Sequence, residues 1–166
     1  MNLKNFFEFN FESLKLFLNQ DLNIEEKKVL MRSKQIWQSV YKKGSFQINS
    51  LTTFPLELRS KLNNLISLDI PKIEKKQISE DGTIKWLIKL FDKNEVECVY
   101  IPEKTRATLC ISSQVGCTLN CRFCHTGTQR LVKNLSFAEI INQVMIAKEQ
   151  LNDWGEQKKI TNIVLM

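Results

Sequence analysis

The spacing of apolar positions changes twice along the chain. In the first third it is helical. Phe11, Leu14 and Leu18 follow Asn10, a residue suited to cap a helix; Ile36, Trp37, Val40 and Tyr41 line a second stretch that starts near Ser33 and stops at Gly44. Leu56, Leu58, Leu62 and Leu65 follow Pro55, which suits the first turn of a third helix. These leucines and aromatics read as ordinary core. From Ile70 to Ile101 the period moves towards two. Glu80-Asp81-Gly82-Thr83 is a turn signal after Gln77-Ile78-Ser79, Ile84 to Phe91 reads as a strand, Asp92-Lys93-Asn94 as a turn, and Glu95 to Ile101 as a further strand. The pattern predicts a small antiparallel meander that ends at Pro102.

A third pattern begins at Arg106. Ala107, Leu109 and Ile111 alternate with Thr108, Cys110 and Ser112, which predicts a strand with two unlike faces. A long loop runs from Ser113 to Leu135. Ser136 and Glu139 then form the signature of a capping box, Leu135 and Ile140 suit a hydrophobic staple, and Phe137, Ile140, Ile141, Val144, Ala147 and Leu151 predict the buried face of a helix. After Asp153-Trp154-Gly155 the run Ile160 to Met166 reads as a parallel strand buried on both faces. Strand, helix and strand make one right-handed βαβ unit. The fold class expected is α/β. A small helical domain (1–68) precedes a β-meander linker (69–102) and the start of a (β/α) barrel (103–166). A barrel spends roughly 30 residues per unit, so the barrel is expected to be cut short, with an open edge at its last strand.

The composition narrows the class. With 166 residues and 43% hydrophobic content, the chain can bury one full domain or a small domain and part of another. No apolar run approaches the roughly 18–20 residues that span a bilayer, and the start lacks the long apolar core of a signal peptide. Five cysteines, an odd number, fit poorly with an extracellular disulfide framework. A cytoplasmic protein with special thiols is expected, without a membrane partner.

The net charge of +6 is unevenly spread. Lys27, Lys28, Arg32, Lys34, Lys42, Lys43, Arg59 and Lys61 face the single acid Glu57 in the window 27–61. Such an excess is either the footprint of a polyanion, with RNA or DNA the obvious candidates, or a solvated helical face.

The chemistry is concentrated in Gly116-Cys117-Thr-Leu-Asn-Cys121-Arg-Phe-Cys124-His125, a C-x3-C-x2-C spacing directly after a strand. Barrel enzymes carry their catalytic residues at the C-terminal ends of strands. Three close thiolates can each hold one iron of a four-iron cluster and leave the fourth iron open. Zinc favours C-x2-C pairs and four ligands, so it would need Cys110 or His125 across awkward spacing. Cys98, between Val96 and Tyr100 in a strand, reads as a small buried hydrophobe. His125 reads as a loop residue beside the cluster.

The stretch from Glu97 to Met166 resembles the radical S-adenosylmethionine superfamily, and within it the dual-specificity RNA methyltransferases of the RlmN type. The resemblance is carried by Val99-Tyr-Ile-Pro102, Arg106-Ala-Thr-Leu-Cys110, Ser112-Ser-Gln-Val-Gly-Cys117, the cysteine loop, Asn134-Leu135 and Thr161-Asn-Ile-Val164. Arg32-Ser-Lys-Gln-Ile-Trp37 and Asp81-Gly-Thr-Ile-Lys-Trp86 are similar to the family's accessory domain and meander. The resemblance implies methylation of carbon 2 of an adenine in 23S rRNA and in tRNA. It implies that Cys117, Cys121 and Cys124 ligate a [4Fe-4S] cluster, that the open iron chelates S-adenosylmethionine, and that a reducing electron donor triggers its cleavage to a radical. The radical then activates a methyl group carried on another cysteine, and Cys110 matches the thiol that resolves the resulting protein–RNA adduct. A disulfide bond is part of the same implied chemistry. Glu97 matches the family's proton acceptor; by its residue type alone it is a strand carboxylate. Lys27, Lys28, Arg32, Lys34, Lys42 and Lys43 would hold the phosphates of folded RNA.

Two parts of the family pattern lie beyond Met166: the glycine-glutamate motif that grips the cofactor and the methyl-carrying cysteine. The chain by itself is therefore expected not to turn over. Other readings stay open beside that of an RNA methyltransferase: a fragment completed by a second chain, a non-catalytic RNA-binding remnant, and a related enzyme that methylates carbon 8 of adenine.

Overall fold

In the computed structural model, residues 3–118, 130–156 and 158–166 are described. The chain folds as two units, Met1–Ile70 and Pro71–Met166.

In the first unit a two-residue strand β1 (Lys4–Asn5) leads into helices α1 (Phe11–Gln20), α2 (Glu26–Lys43) and α3 (Leu56–Asn63), and β2 (Ile66–Ser67) returns parallel to β1. Asn10 starts α1 as expected: its side chain accepts from the Ser13 N–H at 2.8 Å, and the Ser13 hydroxyl accepts from the Asn10 N–H at 3.0 Å. Gly44 ends α2 with a φ of 67°, a left-handed residue that favours glycine. Phe6, Phe7, Leu14, Leu18, Ile36, Val40 and Leu62 are fully buried. Phe6 and Phe7 pack on Tyr41, and burial pushes the Tyr41 phenol up to about 12.

Two expectations need correction here. Helix α2 begins at Glu26, well before Ser33. Its first turns are rich in Lys and Glu, good helix formers that leave little apolar pattern to read. In α3 only Leu62 of the expected leucine stripe is buried within the helix, and Leu56 is 75% exposed. Pro55 sits one residue before the helix, as its cap.

The second unit is built on a five-stranded sheet in the order β3-β4-β5-β6-β9. Its strands are β3 (Lys72–Ile78), β4 (Ile84–Lys89), β5 (Glu95–Pro102), β6 (Ala107–Ile111) and β9 (Asn162–Leu165). Strands β3 to β6 are antiparallel neighbours, so the meander and the later strands share one sheet. Asp81 and Asp92 make the two turns by accepting from the main-chain N–H of Thr83 and Asn94 at 2.9 and 3.0 Å. Strand β9 runs parallel to β6, and helix α4 (Phe137–Leu151) connects them: the expected βαβ unit. A small ladder of β7 (Gln114–Val115) and β8 (Lys133–Asn134) lies between β6 and α4 in the chain.

Pairing fixes the two faces of the sheet. Trp86, Cys98 and Ile111 stand opposite one another across β4, β5 and β6, and all are buried, with Ile88, Val96 and Leu109 on the same side. Trp86 is the largest fully buried side chain. The other face carries the row Lys85, Val99, Cys110 and Val164.

The capping box of α4 forms between Ser136 and Glu139 as read from the sequence. Its buried face does not follow the apolar pattern. Ala138, Asn142, Gln143, Met145, Ile146 and Ala147 are buried, whereas Phe137 is exposed and Ile140, Ile141 and Val144 are only half-buried. Two amide side chains occupy the buried stripe, and one of them has a specific task described below. Strand β9 also differs from expectation. All four of its residues are exposed, and among the described residues it lies at the sheet edge with β6 as its one neighbour. Among the described residues, no helix is long and apolar enough to cross a membrane.

Candidate active site

The face opposite the buried one assembles side chains that are distant in sequence. Cys110 lies in β6 between the buried Leu109 and Ile111, so alternation turns it to the half-exposed side. It pairs with Val99 of β5, and Glu97, two residues before Val99, points to the same side. Lys85 of β4 pairs with Val99 too, and its Nζ lies 2.9 Å from Glu97 Oε1. Glu97 and Cys110, expected from sequence to work together, thus share a face with a lysine that sequence reasoning did not single out. Cys98 faces the other way. It is fully buried, and burial, aided by the nearby Cys110 sulfur, pushes its thiol up to about 12. The expectation of a small buried hydrophobe fits this environment. No disulfide joins the cysteines among the described residues.

The cysteine motif leaves the C-terminal end of β6 through a closed neck. The Ser112 hydroxyl donates to the Glu97 carbonyl at 2.7 Å. The Ser113 carbonyl accepts from the Leu135 N–H at 2.9 Å, and the Val115 carbonyl from the Val132 N–H at 2.8 Å. Gln114 Nε2 donates to Asn134 Oδ1 at 2.7 Å. Gly116 completes the neck. Its φ is +80°, and a Cβ there would stand 2.1 Å from the Arg130 carbonyl oxygen, so no side chain fits. The motif Ser112-Ser-Gln-Val-Gly116 is therefore a set of tethers that join the outgoing and returning chains. Cys117 follows at once and is half-buried. Cys121, Cys124 and His125 lie outside the described residues.

Lys133, on the returning strand, is the charged hub of the neck. Its ammonium bridges Asp92 in the second meander turn and Glu139 at the start of α4, the latter at 2.6 Å. The Lys133 hydrogen bond holds the Asp92 carboxyl down at about 2. Burial would raise the Glu139 carboxyl, but hydrogen bonds from Lys133 and Ser136 outweigh it and leave it lowered. Lys133 itself is raised, chiefly by Asp92.

Among the described residues, no three His, Cys, Asp or Glu side chains converge as a metal site. Of the three closely spaced cysteines in the sequence, only Cys117 is described, at the neck. As soft sulfur donors, three such side chains would suit an iron–sulfur cluster better than a hard cation.

In the first unit, all six basic residues marked from sequence lie on α2. Lys27 and Lys28 both pair with Glu25, at 3.0 and 3.1 Å. Arg32 has a structural task. Its guanidinium donates to the Thr53 carbonyl at 2.7 Å and lies over the Phe54 ring at 5.2 Å. Lys34, Lys42 and Lys43 are exposed, and Lys34 and Lys42 lie opposite the buried stripe of Val29, Ile36 and Val40.

No family model matches the chain. Its sequence is 49% identical over 148 residues to a Rhodopseudomonas palustris protein named dual-specificity RNA methyltransferase RlmN, which covers 82% of this chain and 37% of that protein. A Bradyrhizobium protein of the same name is 46% identical over 158 residues, covering 88% of this chain and 39% of its own. The namesake from Nitrobacter winogradskyi is 49% identical over 148 residues, with coverage of 82% and 37%. The crystal structure of a radical SAM methyltransferase from Sphaerobacter thermophilus matches with a TM-score of 0.81 at 28% identity, over 96% of this chain and 45% of that one. The fold is thus similar to that of a radical SAM methyltransferase. Within that class, the chain is similar to the N-terminal part of proteins named dual-specificity RNA methyltransferase RlmN, at 46–49% identity. It spans about two fifths of the length of the curated relatives it matches.

Proposed function

We propose that this chain forms the thiol-bearing and RNA-holding part of a radical S-adenosylmethionine enzyme that methylates carbon 2 of adenine in 23S rRNA and tRNA. The observation that carries the reading is the shared location of Glu97, Cys110 and the cysteine neck, around the C-terminal end of β6 on a sheet of this family's fold. The whole is read as the beginning of a partial (β/α) barrel after an accessory helical domain, in a cytoplasmic protein.

In this reading Cys117, Cys121 and Cys124 are the thiolates that hold a [4Fe-4S] cluster. Bound there with S-adenosylmethionine and fed by an electron donor, that group supplies radical chemistry that a carbon as electron-poor as adenine carbon 2 requires. The chain's own residues do the rest. Glu97 takes a proton on its carboxylate, and the Lys85 ammonium keeps that carboxylate turned to the half-exposed face. Cys110 offers its sulfur to resolve the protein–RNA bond, and its partial exposure leaves it within reach of a nucleotide. Lys34, Lys42 and Lys43 contact phosphates without base preference.

The test is anaerobic incubation of the purified chain with iron and sulfide, followed by metal and sulfide analysis and electron paramagnetic resonance of the reduced sample. Close to four irons per chain, lost when Cys117, Cys121 or Cys124 is replaced by Ala, is the expected result. A colourless protein, or one that retains only zinc, overturns the reading.

A further inference from the structure

We propose that Gln143 is a positioning residue for Cys117, acting through the main chain of Ser112; this rests on the cluster reading above and deepens it. Gln143 lies in the middle of α4 and is fully buried. A buried amide without partners is costly, so its partners reveal its purpose. Its Oε1 accepts from the Ser112 N–H at 2.8 Å, and its Nε2 donates to the Ser112 carbonyl at 2.9 Å. The side chain thus pairs with Ser112 as a neighbouring strand would, with one donor and one acceptor in register. Nε2 is also 3.3 Å from the Glu139 carbonyl within the helix.

Ser112 is the first residue after β6 and the first of the motif that ends at Cys117. The chain has to leave the sheet there, and its main-chain N–H and carbonyl would be left without ladder partners. Gln143 supplies both. It locks the departure angle of Ser112, and Ser113, Gln114 and Val115 pass that angle on through their hydrogen bonds to Leu135, Asn134 and Val132, up to Gly116, whose backbone lies close against Arg130. Cys117 stands at the end of this series. A Leu in place of Gln143 would pack as well but hold nothing. That explains why this amide occupies the buried stripe of a helix that packs on β5 and β6.

The experiment compares the parent chain with Gln143→Leu and Gln143→Glu. Hydrogen exchange is read at the amides of Ser112, Val132 and Leu135, and iron content after anaerobic loading and desalting. Gln143→Leu is expected to speed exchange at these amides by at least about tenfold, as loss of two buried hydrogen bonds implies. Amides of β4 and β5 stay protected, and retained iron falls severalfold. Gln143→Glu keeps the acceptor for the Ser112 N–H and removes the donor. It should fall between parent and Leu variant in both readouts, and it decides the matter if the Leu variant does not fold. Unchanged exchange at the neck in the folded variant, or iron retention equal to the parent's, overturns the proposal. If the parent itself takes up no iron, the cluster reading fails, and the exchange data still decide whether Gln143 holds the neck.

Discussion

Lys85 Nζ meets Glu97 Oε1 at 2.9 Å across the ladder between β4 and β5, on the face that also carries Cys110. Both side chains are nearly half exposed, 42% and 48%, so solvent screens the pair. Its value lies in orientation. A double-mutant cycle with Lys85→Met and Glu97→Gln, read by urea unfolding, should give a coupling of about 0.2–1 kcal/mol. A coupling several times larger would make the pair a stabilising element of the meander.

Gly116→Ala forces a side chain into the Arg130 carbonyl and keeps a φ of +80° that alanine resists. The expected cost is about 2 kcal/mol or more, from strain and displacement of the returning chain. Thermal unfolding gives the loss, and faster hydrogen exchange at Val132 gives its location. Full stability in the alanine variant would contradict the closed neck.

The Asp92–Lys133 bridge carries a pH signature. The Asp92 carboxyl is lowered from its ordinary value of 3.8 to about 2, so its contribution is complete above pH 4 and fades as pH falls towards 2. Asp92→Asn should lower the melting temperature at pH 7, and the difference from the parent should shrink between pH 4 and pH 2. A difference that is constant over that range would remove Lys133 as the cause.

The two strand thiols should react differently with iodoacetamide. Cys98, fully buried and pushed up to about 12, should stay unmodified at pH 8 while the chain is folded and react once it is unfolded. Cys110, half-exposed on the other face, should be alkylated in the native chain. Peptide mass analysis of the modified protein distinguishes them, and equal labelling would contradict the face assignment.

On α2, exposed lysines and Arg32 should separate in function. Replacing Lys34 and Lys42 by Gln should reduce the slope of log affinity against log salt for a folded tRNA by about 1.5. Arg32→Gln, which loses the Thr53 hydrogen bond and the Phe54 stack, should instead cost about 1–2 kcal/mol of stability and leave the slope unchanged. A slope that responds equally to Arg32 would return it to the RNA-facing set.

Much of this architecture is written in short-range signals. The Asn10 cap, Ser136 with Glu139, and the Asp-led turns at 81 and 92 use only neighbouring residues, and each forms where the sequence marks it. Alternation in β6 likewise separates Cys110 from Leu109 and Ile111 without knowledge of their partners. What stays hidden depends on distant chain segments. Lys85 finds Glu97 through strand register, and Lys133 finds Asp92 across 41 positions in the chain. The buried face of α4 is misread because periodicity favours apolar residues, whereas the fold buries Gln143 for its hydrogen bonds to Ser112. Gln143 among the apolar positions of α4 is the available clue. Arg32 shows the converse: its charge suggests an anion, and an aromatic ring and a carbonyl claim it.

The pleat of β6 imposes a rule of parity on its surroundings. Adding or deleting one residue between Ala107 and Cys110, inside the strand, would turn the sulfur towards Trp86 and hand its place to a neighbouring side chain, while a change of two would return it to the original side. Insertions that accumulate over generations in this stretch should therefore survive in even steps, or as bulges that restore the count.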